Sequence, residues 1–281
     1  MLGNDKIPLR QQIEWVWQQT ARLHPEFERG PWLGHEDPYM IHEIVNNNVC
    51  RFQGFSGARV MDIGANVGVF TILCALNGAR VTAYEPNREA YRVLCEQLRR
   101  TGTVGLVTAA NRPVWTRTGP VQFQQAKGYF ARATWDFYNG LVLTGAENEK
   151  RNFAATEVLI EENAVEAISF DDAVGGGAWD CVKMDIEGGE FYVLLAASDE
   201  ALGRVKFLTV ELHPQWADRA LYESLIAKLE RTFTLEGVRE GDPRFADENR
   251  WVSIYATRRD IRQAVSADET AKPLPLDGAA I

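Results

Sequence analysis

Val60-Met61-Asp62-Ile63-Gly64-Ala65-Asn66-Val67-Gly68, followed by Tyr84-Glu85-Pro86-Asn87, decides how this chain folds. One apolar run ends in a glycine turn, and a second, Arg80 to Tyr84, ends on a carboxylate. A short buried strand, a glycine turn, a helix and another strand make a βαβ unit. Gly64 and Gly68 let the backbone approach a ligand closely. Glu85 stands 21 positions after Gly64, where a carboxylate at a strand end can accept both ribose hydroxyls of an adenosine. Ala65, Asn66 and Pro86 complete the turns around such a ligand. Asn111, past the next strand, either reaches the adenine edge or forms a turn.

The same rhythm extends outward. Arg59 to Ile63, Arg80 to Tyr84 and Val104 to Ala109 read as strands, separated by helices over Val69 to Leu76 and Arg88 to Arg100. It resumes with a strand over Trp179 to Met184, a helix from about Gly189 to Ala197 and a strand over Val205 to Leu212. Asp218 then caps a helix, and Phe233 to Val238 and Trp251 to Ala256 read as closing strands. Alternation of this kind implies an α/β domain, a mostly parallel sheet with helices on both faces. Between Gln122 and Ile168 the alternation breaks. Val121 to Gln125 and Thr156 to Ile160 read as strands around an aromatic-rich stretch that holds Tyr129, Phe130, Trp135, Phe137 and Tyr138. Before the first strand, Leu9 to Leu23 and about 37–46 read as helices. The expected division is an N-terminal helical cap over 1–55, a main domain over 56–258 with an insertion at about 124–166, and a mobile tail over 259–281.

Bulk properties narrow the partners. The 281 residues carry a formal net charge of −9. An acidic surface repels nucleic-acid phosphates and anionic lipid, so neither is expected as a partner. No run approaches the ~18 apolar residues of a membrane span, and the first ten residues lack an apolar signal core. Cys50, Cys74, Cys95 and Cys181 form no C-x-x-C pair and read as free thiols of a reducing cytoplasm. The oligomeric state is not legible.

Two cofactors fit the glycine turn, and Asp62 separates them. A dinucleotide would set a pyrophosphate there, which a carboxylate repels, whereas S-adenosylmethionine carries an ammonium and a sulfonium that it attracts. Gly64 to Gly68 is also G-x-x-x-G rather than the dinucleotide G-x-G-x-x-G. The stretches already quoted, with Val182-Lys183-Met184-Asp185-Ile186-Glu187-Gly188-Gly189-Glu190, resemble the FkbM-type S-adenosylmethionine-dependent methyltransferases. Ser169-Phe170-Asp171-Asp172 is similar to a family segment in which leucine usually replaces Phe170, and Val210-Glu211-Leu212-His213 to its acidic strand end. The resemblance covers about Arg59 to His213. It implies a class I methyltransferase, Rossmann-like fold, with a seven-stranded sheet whose last strand is antiparallel. It also implies methylation of hydroxyls on sugars or on polyketide and peptide natural products.

The chemistry is expected at the carboxyl ends of the later strands. Alternation puts Lys183 and Asp185 on one face of their strand and Glu211 and His213 on one face of the next. Lys183 with Glu211, and Asp185 with His213, are the cross-strand pairs so expected. A hydroxyl acceptor needs its proton removed, and His213 has the ordinary pKa of a base for that, with Asp185 orienting it or touching the cofactor. Asp185, Glu211 and His213 together also suit a divalent metal, though a metal-free site is the favoured reading. Glu187 reads as a charge at a helix start. Trp135 and Tyr138 are candidates for the wall of a small-molecule acceptor pocket, with a satellite core under a long loop as the alternative. An N-methyltransferase and a non-catalytic adenosine-ligand binder remain the competing functions.

Overall fold

The computed structural model describes residues 56–126, 141–143, 160–213, 217–236 and 252–261. The two N-terminal helices expected from the sequence, the stretch holding Trp135 and Tyr138, and the tail beyond 261 lie outside them.

Strand β1 (Arg59–Ile63) is buried along all but its first residue, as a central parallel strand must be. Helix α1 (Val69–Leu76) follows and is buried from Val69 to Ala75. After β2 (Arg80–Tyr84) comes α2 (Arg88–Thr101), the more amphipathic helix. Asn87 caps α2 by accepting from the N–H groups of Glu89 and Ala90, and Gly102 ends it at φ 70°. Ala90, Val93, Leu94, Gln97 and Leu98 form its buried stripe. Val104–Leu106 is a 3-10 turn, so β3 begins at Val107 and runs to Ala110.

The chain then leaves the main sheet. β4 (Val114–Trp115), β5 (Gly119–Ala126), β6 (Leu141–Leu143) and β7 (Ile160–Ser169) form a four-stranded sheet of order β4-β7-β5-β6. β5 and β7 pair antiparallel from Gly119 opposite Ala167 to Ala126 opposite Ile160. Both flanks of the expected insertion are thus zipped together. Ser169 caps the short α3 (Phe170–Val174) through the N–H of Asp172.

β8 (Trp179–Met184), α4 (Glu190–Ala196), α5 (Asp199–Gly203) and β9 (Val205–Leu212) restore the alternation. Asp218 caps α6 (Arg219–Thr232), and β10 (Phe233–Glu236) and β11 (Val252–Arg258) close the sheet. Its order is β10-β11-β9-β8-β1-β2-β3, with β11 antiparallel to both neighbours. Chain order reverses between β1 and β8, and the carboxyl ends of strands at such a reversal are where open α/β sheets characteristically bind ligands.

Alternation along the strands sends Met61, Ile63, Val182, Met184, Leu208 and Val210 to one core with Phe191, Leu194, Leu225 and Leu229. Val60, Val81 and Cys181 pack on the opposite face with Phe70, Leu73 and Cys74. Asp62 and Lys183 therefore belong to the α1 face of the sheet, directly opposite one another in register.

Gly64, at φ 80°, sits where β1 meets the end of β8, and a Cβ there would collide with the backbone carbonyl of Asp185. Gly64→Ala should therefore lose more stability than the ~1–2 kcal/mol of one left-handed residue. Gly102→Ala, at φ 70° with nothing within 4 Å of its added Cβ, should lose only that ~1–2 kcal/mol. Urea unfolding of both variants checks this; equal losses would mean the approach to Asp185 carries no constraint.

Candidate functional site

The turn after β1 is held by its own backbone. The N–H groups of Gly64 and Ala65 both donate to Tyr84 C=O at 3.0 Å, and Gly68 N–H donates to Ala65 C=O at 2.8 Å. Asn66, at φ 50°, donates its N–H to Glu85 Oε2 at 2.7 Å. The N–H of Asn87 reaches the other Glu85 oxygen, also at 2.7 Å. Glu85 is 6% exposed. Burial pushes its pKa up to about 7 despite those two backbone donors. Asn111 donates its amide to the carbonyls of Glu85 and Pro86 at 2.8 and 3.0 Å. It therefore clasps the Glu85 turn from the end of β3. Asn66 Oδ1 is buried and has no hydrogen-bond partner among the described residues.

A row of charge crosses the sheet beside this turn. Asp62 has no exposed surface. Its Oδ2 accepts from Thr71 Oγ1 at 2.6 Å, and its Oδ1 lies 3.6 Å from Lys183 Nζ. Burial raises the Asp62 pKa, with Lys183 opposing. Lys183 donates to Gly64 C=O at 2.9 Å and lies 3.4 Å from Asp185 Oδ2. Burial works against its charge, but Asp185, Asp62 and Glu211 outweigh that and hold its pKa above the ordinary value. The expected cross-strand pairings of Lys183 with Glu211 and of Asp185 with His213 both need correction. Lys183 sits opposite Thr209 and Met184 opposite Val210, so Glu211 comes level with Asp185 instead. Side-chain alternation fixes the face but leaves the register to the neighbouring strand.

At the carboxyl ends of β8 and β9 the polar groups converge. The ligand atoms of Asp185, Glu211 and His213 lie within 4.8 Å of one another. His213 is 5% exposed. Its Nδ1 lies 3.1 Å from Glu190 Oε1, and its Nε2 lies 3.3 Å from Glu187 Oε2 and 3.7 Å from Glu211 Oε1. Glu190 opens α4 and curls back, accepting from the N–H groups of Ile186 at 2.8 Å and Gly188 at 2.9 Å. Burial opposes charge on His213, yet Glu190, Glu187 and Glu211 raise its pKa well above the ordinary imidazole value. His213 thus differs from the ordinary base expected from its residue type, because its surroundings are anionic. Burial also raises Glu187, to about 7, with His213 opposing and Asp185 and Glu190 reinforcing.

The structure brings Asp185, Glu211 and His213 into one cluster, and groups Asn66, Glu85, Pro86 and Asn111 around the first turn. Trp135 and Tyr138 lie outside the described residues. Two residues were not picked out beforehand as partners of His213. Glu187 reads from the sequence as a helix-start charge, and Glu190 as its neighbour one turn on. The available signal was the Glu187-Gly188-Gly189-Glu190 turn itself, with Glu187 at φ 58° and Gly188 at φ 102°.

The raised Glu85 pKa fixes a sign for stability. A folded pKa of about 7 against an ordinary 4.5 means the unfolded chain releases this proton first. The group's contribution is therefore lost as pH rises from about 4.5 through 7. Wild type should lose more stability than Glu85→Gln between pH ~5 and ~8, measured as the change in urea midpoint. Parallel pH profiles would mean that Glu85 ionises normally in the folded chain.

Three solved structures illustrate what the fold is similar to. Precorrin-6y C5,15-methyltransferase from Geobacter metallireducens is 13% identical, with 74% of this chain and 85% of that chain covered and a TM-score of 0.38. An rRNA methylase from Streptococcus thermophilus is 13% identical, covering 72% of this chain and 87% of that one, with a TM-score of 0.39. An S-adenosylmethionine-dependent O-methyltransferase from Thermotoga maritima is 14% identical, covering 79% and 64%, with a TM-score of 0.38. At such scores they carry no argument about the acceptor. No curated protein matches the chain. Residues 62–238, which hold the glycine turn, Glu85 and the whole β8–β9 cluster, match the methyltransferase FkbM domain. That span is more than half of the chain, and the chain belongs to the FkbM family of S-adenosylmethionine-dependent methyltransferases.

Proposed function

We propose that this methyltransferase methylates a hydroxyl oxygen of a small metabolite, such as a sugar or a polyketide or peptide natural product. The observation that supports it best is the adjacency of two groups on one sheet edge. Glu85 and the glycine turn lie at β1 and β2, and the Asp185–Glu211–His213 cluster lies at the neighbouring ends of β8 and β9. A cofactor lying across β1 would put its reactive end beside that cluster. The net charge of −9 also favours an acceptor other than a nucleic acid.

The residues present fit S-adenosylmethionine. Each Glu85 oxygen accepts one backbone N–H and keeps a lone pair for a ribose hydroxyl. Asn66 Oδ1 is a buried acceptor in want of a donor. Asp62 and Asp185 outnumber the Lys183 ammonium between them, leaving a net negative charge beside the turn that suits a cationic ligand. Gly64 and Ala65 keep the turn thin, Gly68 opens α1 at φ 89°, and Asn111 fixes the Glu85-Pro86 backbone through both of its carbonyls.

When bound, S-adenosylmethionine supplies a methyl group already activated on a sulfonium. Asp185 and Glu211 orient the acceptor hydroxyl, and the carboxylates that His213 Nε2 holds in place take the hydroxyl proton as the acceptor oxygen displaces sulfur from the methyl carbon, so the proton acceptor depends on His213. Trp135 and Tyr138 are assigned to the acceptor wall on their aromatic character alone.

Two variants separate the halves of this reading. Glu85→Ala should weaken S-adenosylmethionine binding tenfold or more, since charge-assisted hydrogen bonds contribute ~1.5–3 kcal/mol each. His213→Ala should lower kcat by ~10²–10⁴-fold while leaving cofactor affinity nearly intact. Calorimetry and release of S-adenosylhomocysteine in the presence of hydroxylated metabolites measure the two. Unchanged affinity in folded Glu85→Ala, or full turnover in His213→Ala, would remove that residue from its role. Methylation confined to amines would overturn the hydroxyl assignment.

Trp135→Ala should raise the acceptor KM and leave cofactor affinity unchanged. A parallel fall in thermal stability and both affinities would show a packing role instead.

A further inference from the structure

We infer that Asp185, Glu211 and Nε2 of His213 bind a divalent metal ion of the manganese type at the carboxyl ends of β8 and β9. The ion's role rests on the methyl transfer proposed above, where it would hold the acceptor hydroxyl. Its binding does not.

Spacing is the first support. Ligands at right angles on an octahedral ion, each ~2.1 Å from it, stand ~3.0 Å apart, and opposite ones ~4.2 Å. The three ligand atoms here lie within 4.8 Å of one another, with His213 Nε2 3.7 Å from Glu211 Oε1. Small side-chain rotations suffice to close them on one ion.

The second support is independent of the first. A metal-binding histidine characteristically donates its other ring N–H to a carboxylate, which fixes its tautomer and aim. Glu190 is that carboxylate. It is fully buried, is anchored by the N–H groups of Ile186 and Gly188, and faces Nδ1 at 3.1 Å. An ionised carboxylate only accepts, so Nδ1 carries the hydrogen and Nε2 is turned toward Asp185, Glu187 and Glu211.

Charge and access complete the case. Glu187 and Glu211 face Nε2 with Asp185 beside them. The one ammonium at the cluster among the described residues, Lys183, lies 3.4 Å from Asp185 Oδ2 while also bound to Asp62 and Gly64, so the carboxylates outnumber it. Packed carboxylates of this kind are stabilised by a cation among them. The Asp185 and Glu187 side chains are 29% and 30% exposed, so one side of the cluster stays open for water or an acceptor oxygen. Two carboxylates and one imidazole with open positions suit manganese(II) better than a thiolate-seeking metal.

The test uses the full chain, treated with chelator and dialysed. Manganese(II) chloride is titrated in while the free ion is followed by electron paramagnetic resonance, and S-adenosylmethionine is titrated separately by calorimetry. One saturable manganese site per chain is expected at micromolar ion. It should weaken at least tenfold in Glu211→Gln and in His213→Ala, both still binding S-adenosylmethionine. Glu190→Gln should weaken it ~10–100-fold, the usual effect of losing an orienting partner. Should Glu211→Gln fail to fold, Glu211→Asp supplies the same comparison with its charge kept and its reach shortened. Absence of saturable manganese binding, or equal binding in wild type and every folded variant, overturns the inference. Turnover by the manganese-free protein would then leave the methyl-transfer reading standing. Manganese binding without any S-adenosylmethionine binding would do the reverse.

Discussion

Lys183 is the contact on which the site depends. Its ammonium touches Gly64 C=O and stands between Asp62 and Asp185, joining the turn after β1 to the end of β8. Asp62 would otherwise be a buried carboxylate beneath the turn, an arrangement that costs several kcal/mol when unpaired. With Lys183 in place the same carboxylate fixes the ammonium, and Thr71 anchors its other oxygen from α1. Strand, turn and helix are thereby locked at the point where chain order reverses. The close approach of Gly64 to Asp185 and the ion pair enforce the same geometry, one by excluding bulk and the other by attraction.

Around that lock the molecule separates two electrostatic tasks. On the β2 side, Glu85 is held by two backbone donors and by the Asn111 clasp behind it, a rigid acceptor pair. On the β9 side, His213 is set among Glu187, Glu190 and Glu211, where any positive species is favoured. Lys183 lies between them, so the anionic field of one half is partly screened from the other.

Much of this was legible in the residues. β1, β2, β8 and β9 begin and end where the apolar runs do, because burial on both faces keeps most of their positions apolar and the glycine or polar turns that follow mark their limits. The Asp218 cap was equally plain. What failed depends on neighbours. The register that aligns Lys183 with Thr209 is a property of two strands together, and no reading of either alone supplies it. Val104–Leu106 looked like strand by composition but is a 3-10 turn, since apolar character alone does not set backbone conformation. The β5–β7 ladder pairs residues more than thirty positions apart, beyond the reach of local pattern. Glu190 was missed as a partner of His213 because its role comes from curling back onto a turn, which its charge does not announce.

The backbone of the first turn has a further consequence for life among nucleotides. The N–H groups of Gly64, Ala65, Asn66 and Gly68 are all spent on acceptors within the protein. Phosphate-binding turns work by leaving such groups free and aiming them outward. Here a triphosphate would meet committed donors and the carboxylates of Asp62, Glu85 and Asp185. ATP shares the adenosine that Glu85 would read, but its phosphates would face those carboxylates rather than free donors. The main chain and the acidic side chains around the turn thus work in the same direction, each leaving a phosphate without the donors it needs.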